Sequence, residues 1–187
     1  MREKELLIID TAIRLFAKEG VGVATAKIAK EANVSNGTLF NCFKTKKTLT
    51  DSIYVHIKSH MADYILNPIN LEGDLYDIFS EVWLSYFKWC KKNPLEKMTL
   101  DLLKTSQTLS DAIVHEGNQS WTKIHRKVEE AITKGNIIKL PDNLVCSICE
   151  GILNSSIDYI KSNNLSEKEA KVILEQSFNI FWKGVII

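Results

Sequence analysis

The sequence is poor in residues that break a chain. It holds eight glycines and three prolines among 187 residues, so turns are few and the long runs between them favour helices. No stretch approaches the roughly 18 consecutive apolar residues of a membrane span, and the opening MREKELLIID lacks the cationic-then-apolar order of a signal peptide. A cytoplasmic protein without a membrane partner is therefore expected. The four cysteines, Cys42, Cys90, Cys146 and Cys149, are too few for a disulfide framework and in a reducing compartment read as free thiols. An excess of either charge is also lacking: 24 Lys plus Arg stand against 23 Asp plus Glu, a net of +1. That balance offers no obvious sign of a nucleic-acid partner. With 45% apolar residues there is enough for a core.

The charge is unevenly distributed. Residues 1–50 carry nine Lys plus Arg against five Asp plus Glu, a net of +4, and residues 51–187 carry a net of −3. A basic head on a mildly acidic body is the arrangement expected if the head meets phosphates, and two heads in a dimer present twice the charge.

The head reads as helices. Leu6, Ile9, Ile13, Phe16 and Ala17 recur at three and four residues and make one helical stripe, which Gly20 ends. Thr25 is placed to cap a second helix, with Ile28, Ala29 and Ala32 inward; two alanines there let another helix cross closely. Asn33 suits a left-handed turn, and Ser35 caps a third helix whose Leu39 and Phe43 face inward. Thr45 caps a fourth, running from Lys46 through Leu49, Ile53, Ile57 and Met61.

Helix, three-residue turn and helix, with small residues at the crossing and a polar outer face, is the pattern of a helix-turn-helix DNA reader. Such a recognition helix enters a major groove about 12 Å wide by its N-terminal residues. Here these are Asn36, Gly37 and Thr38: an amide for adenine, a position open to backbone approach, and a hydroxyl with a methyl for thymine. Lys27, Lys44, Lys46 and Lys47 can reach phosphates, and the helix starts at Thr25 and Thr45 point backbone N–H groups the same way.

Residues from about Leu7 to Leu49 resemble the DNA-binding head of the tetracycline-repressor (TetR) family. AIRLFAKEG followed by TAKIAKEANVSNGTLFNCFKTKKTL matches its helix, glycine, and S-x-G-T-L-aromatic-x-x-F-x-x-K. Phe40 stands where the family usually has a phosphate-bonding tyrosine, and Cys42 where an aromatic or histidine is usual. The resemblance implies an all-α protein with an N-terminal three-helix head, residues 1–50, joined by a shared helix to a helical effector-binding and dimerisation body, residues 51–187. Its DNA face comprises Thr25, Ala26, Lys27, Ser35, Asn36, Gly37, Thr38, Phe40, Asn41, Lys44, Lys46 and Lys47.

The body shows helical periodicity throughout. Ile78, Phe79, Val82, Trp83, Tyr86, Phe87 and Cys90 form a wide apolar face ending near Asn93-Pro94. One long helix is expected from about Ser110 to Lys134, stopped by Gly135. Another starts at Pro141, and Ser166 with Glu169 makes a capping box for the last. The resemblance places an apolar effector pocket among Ile57, Met61, Tyr64, Trp83, Tyr86, Phe87, Trp121 and His125, a small apolar or amphipathic ligand being implied. One recognition helix makes too few base contacts for useful specificity, so a homodimer on a palindromic operator is expected. Its interface is placed at Ile148, Gly151, Ile152, Ser155, Leu174, Phe178 and Phe181.

Cys146-Ser-Ile-Cys149 spells C-x-x-C, but it lies inside an expected helix and nothing completes four metal ligands. Buried thiols are the first reading; a thiol-redox switch on Cys146 and Cys149 is the alternative. No nucleophile with a base, paired carboxylates or phosphate loop appears. Neither an enzyme nor a cofactor nor a metal is expected, and repressor rather than activator is the favoured sign of regulation.

Overall fold

The computed structural model describes residues 2–106 and 108–187. Among these residues the chain forms α-helices α1 (Glu3–Glu19), α2 (Thr25–Glu31), α3 (Asn36–Cys42), α4 (Lys46–Leu66), α5 (Leu75–Lys92), α6 (Pro94–Thr105), α7 (Asp111–Asn118), α8 (Thr122–Thr133), α9 (Asp142–Ser162) and α10 (Glu167–Val185), with a single 3-10 turn at Gln119–Trp121. The described residues contain no strand, only an isolated bridge between Ile137 and Ile186. None of the helices is long and apolar enough to cross a membrane. The all-α expectation holds.

Contacts divide the chain into two compact units, Met1–Asp63 with Cys90–Ser120 and Tyr64–Trp89 with Trp121–Ile187. The first unit therefore adds α6, α7 and most of α4 to the residues 1–50 assigned to the head. The reason is packing: Leu100 and Leu103 of α6 are fully buried, and the Thr99 hydroxyl, also fully buried, donates to the Ile13 carbonyl of α1 at 3.0 Å. His60 of α4 and Glu96 of α6 are paired at 2.9 Å.

In the first unit the stripe on α1 is the floor. Ile8, Ile9, Ala12 and Phe16 are fully excluded from solvent, as are Ile28 of α2, Leu39 of α3 and Leu49, Ile53 and Ile57 of α4. Each of the Ile, Leu and Phe side chains contributes about 1.5–3 kcal/mol by leaving water. The turns follow their residue types: Gly20 adopts φ +85° and Asn33 φ +53°. Ser35 Oγ accepts from the Thr38 amide at 3.0 Å. Thr45 and Thr48 cap each other, each hydroxyl accepting from the other's amide at 3.0 Å. Thr25 is a correction. The N-cap is Ala24, extended at φ −69° and ψ 139°, with no side-chain cap bond, and Thr25 is already helical. Val23, buried in the core, fixes where the chain turns into α2.

The second unit is built on aromatic contacts. Tyr76, Phe79 and Trp83 of α5 meet Phe178, Phe181 and Trp182 of α10, with ring centroids between 5.2 Å (Tyr76 to Phe178) and 5.9 Å (Trp83 to Phe181). Edge-on and tilted pairs at this spacing add to the burial of large apolar area. The capping box of α10 forms as expected: the Ser166 amide donates to Glu169 Oε2 at 2.9 Å, and the Glu169 amide to Ser166 Oγ at 3.4 Å. The Ser166 hydrogen bonds hold the Glu169 carboxyl below its usual range.

The long helix expected over Ser110–Lys134 is broken in two by the 3-10 turn. Gly117, Asn118 and Ser120 are weak helix formers in succession, so little opposes the break. Gly117 has a second role. A Cβ there would lie 2.6 Å from Cε1 and 3.1 Å from Cδ1 of Tyr54, a ring that is 2% exposed. Gly117→Ala gains about 1 kcal/mol of helix propensity but forces a buried ring to move, an overpacking cost of about 1–3 kcal/mol. The variant should unfold at lower urea concentration with an unchanged slope; a midpoint at or above the parental value would contradict close α7–α4 packing.

Candidate nucleic-acid interface and helical body

On the head, α3 presents its polar side outward because Leu39 and Phe43 anchor the other side in the core. Asn36, Gly37 and Asn41 are exposed and Thr38 half-exposed, with Thr38 Oγ1 3.0 Å from Ser35 Oγ. Phe40 remains 44% exposed, an apolar ring on an otherwise polar face. Ala26 and Lys27 are exposed on α2, and Thr25 is half-buried. The N-terminal residues of α3 thus offer an amide, an uncovered backbone and a hydroxyl together, the groups a base edge can meet.

The four lysines are not equivalent. Lys27 Nζ reaches both carboxylate oxygens of Glu19 at 2.7 Å, and Lys47 Nζ both oxygens of Asp51 at 2.9 and 3.0 Å. Lys44 and Lys46 make no ion pair among the described residues. Lys27 and Lys47 are thus already held by carboxylates, whereas an anion meeting Lys44 or Lys46 competes only with water. A depression of about 310 Å³ beside the α3–α4 turn is lined by Glu5, Cys42, Phe43, Lys44, Thr48 and Ser52.

The residues assigned to a pocket fall in both units. Ile57 and Met61 are buried in the first. Tyr64, Trp83, Tyr86, Phe87, Trp121 and His125 belong to the second. There the Tyr86 hydroxyl donates to Asn154 Oδ1 at 2.9 Å, a partner no sequence pattern marks. Trp83 is 1% exposed, and among the described residues its buried Nε1–H meets no hydrogen-bond acceptor. A buried donor left unmatched costs about 1–3 kcal/mol, so it is an acceptor's natural target.

The interface assignment needs correction on α10. Leu174, Phe178 and Phe181 are 2%, 4% and 1% exposed, because they fill the aromatic core against α5 and cannot also face a partner. What α10 leaves uncovered is Val172 and Ile180, the latter 67% exposed, a signal readable as i, i+8 on one face. On α9 the expected residues do lie outward: Ile148, Gly151 and Ser155 are exposed and Ile152 half-buried, with Leu144 and Tyr159 extending the face.

The two thiols of C-x-x-C differ. Burial, then the neighbouring Cys146 and Glu150, push the Cys149 thiol up to about 12. Cys146 Sγ instead lies 3.9 Å from His125 Nδ1, which is 2.8 Å from Asp142 Oδ2. His125 is thus turned toward a carboxylate on α9. No group of three or more His, Cys, Asp or Glu suited to a metal ion occurs among the described residues.

Comparison with known proteins bears on both units. Residues 8–53 match the sequence model of bacterial regulatory proteins of the tetR family. An uncharacterized HTH-type transcriptional regulator of Bacillus subtilis, YuxN, is 39% identical over 75 residues, 40% of this chain and 25% of that protein; the chain thus spans a quarter of that relative's length. The fatty acid metabolism regulator protein of Bacillus subtilis is 27% identical over 164 residues, 84% of this chain and 74% of its own. A crystal structure from Shewanella sp. PV-4, described as a tetR family transcription regulator, superposes with a TM-score of 0.90 at 26% identity, covering 100% of both chains. Residues 8–53 thus match the head of the tetR family of bacterial regulatory proteins, and over its whole length the chain is similar to a tetR family transcription regulator.

Proposed function

We propose that the protein is a dimeric repressor that occupies a roughly palindromic operator and leaves it when a small apolar or amphipathic molecule binds its second unit. The observation that carries the DNA half is the α3 surface, where Asn36, Gly37 and Thr38 stand clear of the core beside the unpaired Lys44 and Lys46. The dimer half rests on the apolar face of Leu144, Ile148, Tyr159, Val172 and Ile180, which the chain itself leaves exposed. A face of this kind marks an interaction surface, and two-fold pairing sets recognition helices one DNA turn, about 34 Å, apart.

The ligand half rests on the apolar interior of the second unit and on the Trp83 donor, which suits a carbonyl or carboxylate oxygen on an otherwise apolar molecule. The likeness to a fatty acid metabolism regulator protein points to the same chemistry. Both α4 and α5 cross from one unit to the other, so displacing either helix changes the head. A ligand that prefers the released state by about 10⁴-fold, near 5.5 kcal/mol, turns a nearly fully competent population into a nearly fully incompetent one.

An operator selected from random duplex DNA by the purified protein supplies the tests. Asn36→Ala should weaken specific binding by about 1–3 kcal/mol and relax one base position; unchanged selectivity in the titration would overturn its base-reading role. Lys46→Ala should weaken all sequences alike and shallow the salt dependence by about one unit. A parental slope would remove Lys46 from the phosphate contacts. Ile148→Glu combined with Ile180→Glu places charges on the exposed face and should yield monomers in sedimentation, whereas a persisting dimer would move the interface elsewhere.

A further inference from the structure

His125, assigned above to the pocket only by resemblance, is clustered with Asp142 and Cys146. Asp142, Cys146 and Cys149 follow at i, i+4 and i+7 and so share one side of α9, where α8 brings His125 against them. His125 and Asp142 are 28% and 27% exposed, and Cys146, like Cys149, is half-buried. Residues of the apolar outer face of α9, such as Leu144, are turned about 200° away at 100° per residue. A second copy docked there leaves Cys146 uncovered.

The proton positions follow from chemistry. A carboxylate only accepts, so the 2.8 Å contact with Asp142 Oδ2 puts a hydrogen on His125 Nδ1. Nε2 is then the ring nitrogen with a lone pair to offer, and the Cys146 sulfur lies 3.9 Å from Nδ1.

A disulfide with Cys149 does not fit this helix. Residues three apart on a helix hold their Cβ atoms about 5–6 Å apart, beyond the roughly 3.5–4.5 Å of a disulfide. The Cys149 thiol, raised to about 12 by its burial, is moreover not a partner ready to ionise. The two thiols differ in that Cys146 lies beside His125 and Cys149 resists ionisation.

We propose that Cys146 is a covalent modification site for soft electrophiles, in particular α,β-unsaturated carbonyl compounds, its sulfur set beside the His125 ring that Asp142 orients. The thiol proton passes through solvent to His125 Nε2. The sulfur lone pair forms a bond to the β-carbon, the alkene π pair moves onto the carbonyl as an enolate, and the α-carbon takes back the proton. Nothing is oxidised, and no leaving group departs. His125 is a positioning residue in this step, since it acts on the sulfur and does not touch the electrophile.

The test uses the full chain and N-ethylmaleimide in limiting amount at pH 7, with the site of each adduct followed in time by peptide mass spectrometry. Cys146 should react before Cys90 and Cys149. His125→Gln should slow Cys146 by about tenfold or more and leave Cys42 at its parental rate, and Asp142→Asn should slow Cys146 in the same direction. The Cys42 rate separates loss of the imidazole from general loosening of the fold. An unchanged Cys146 rate in both variants, or earlier adducts at Cys90 or Cys149 in the parental chain, would overturn the proposal. None of these outcomes depends on DNA binding, so the site stands or falls apart from the repressor reading.

Discussion

A helix of seven residues does not persist alone in water, since nucleation is costly and only a few backbone bonds repay it. Both α2 and α3 are of that length. Their existence depends on a surface already formed, and that surface is the stripe of α1 with Phe16 at its centre, fully buried. Ala29 at 1% exposure lets α2 lie close to its neighbours, and Leu39 anchors α3 beneath its polar outer face. The position of Asn36 is therefore a consequence of core packing several residues away. The Thr99 bond to Ile13 carries the same dependence into α6.

The second unit solves a different problem. Helices α5 and α10 are long enough to form readily, and what they need is a fixed mutual register. Six aromatic rings supply it, since planar side chains at 5.2–6.5 Å interlock in few ways. A core so rich in rings still contains a buried Trp83 Nε1–H without an acceptor.

Electrostatics has the same double aspect. The basic excess of residues 1–50 is a property of composition, yet Glu19 and Asp51 already occupy Lys27 and Lys47. The positive field comes from the whole head, whereas Lys44 and Lys46 make no ion pair among the described residues. Similarly, C-x-x-C suggests two equivalent thiols, and the fold makes them unequal by setting Cys146 beside an imidazole.

Much of the head was legible in the sequence because its signals are local. The stripe of α1, Gly20, Asn33, Ser35 and the Thr45 cap each act within one helical turn, where residue type decides backbone geometry. Thr25 failed as a cap because burial of Val23, a tertiary demand, set the helix start one residue earlier. The capping box at Ser166 was likewise local and formed. The break at Gln119–Trp121, the assignment of α6 and α7 to the first unit, and the burial of Phe178 and Phe181 were not legible. Each depends on which of two apolar faces meets which neighbour, and a helical wheel gives both faces the same appearance. The amino-acid order by itself determined the helices, their ends and the outward residues of α3, since those follow from interactions within a turn. Only the tertiary structure decided which apolar faces remain exposed, which lysines are already paired and which thiol lies beside His125, since these depend on residues far apart in the chain sharing one place.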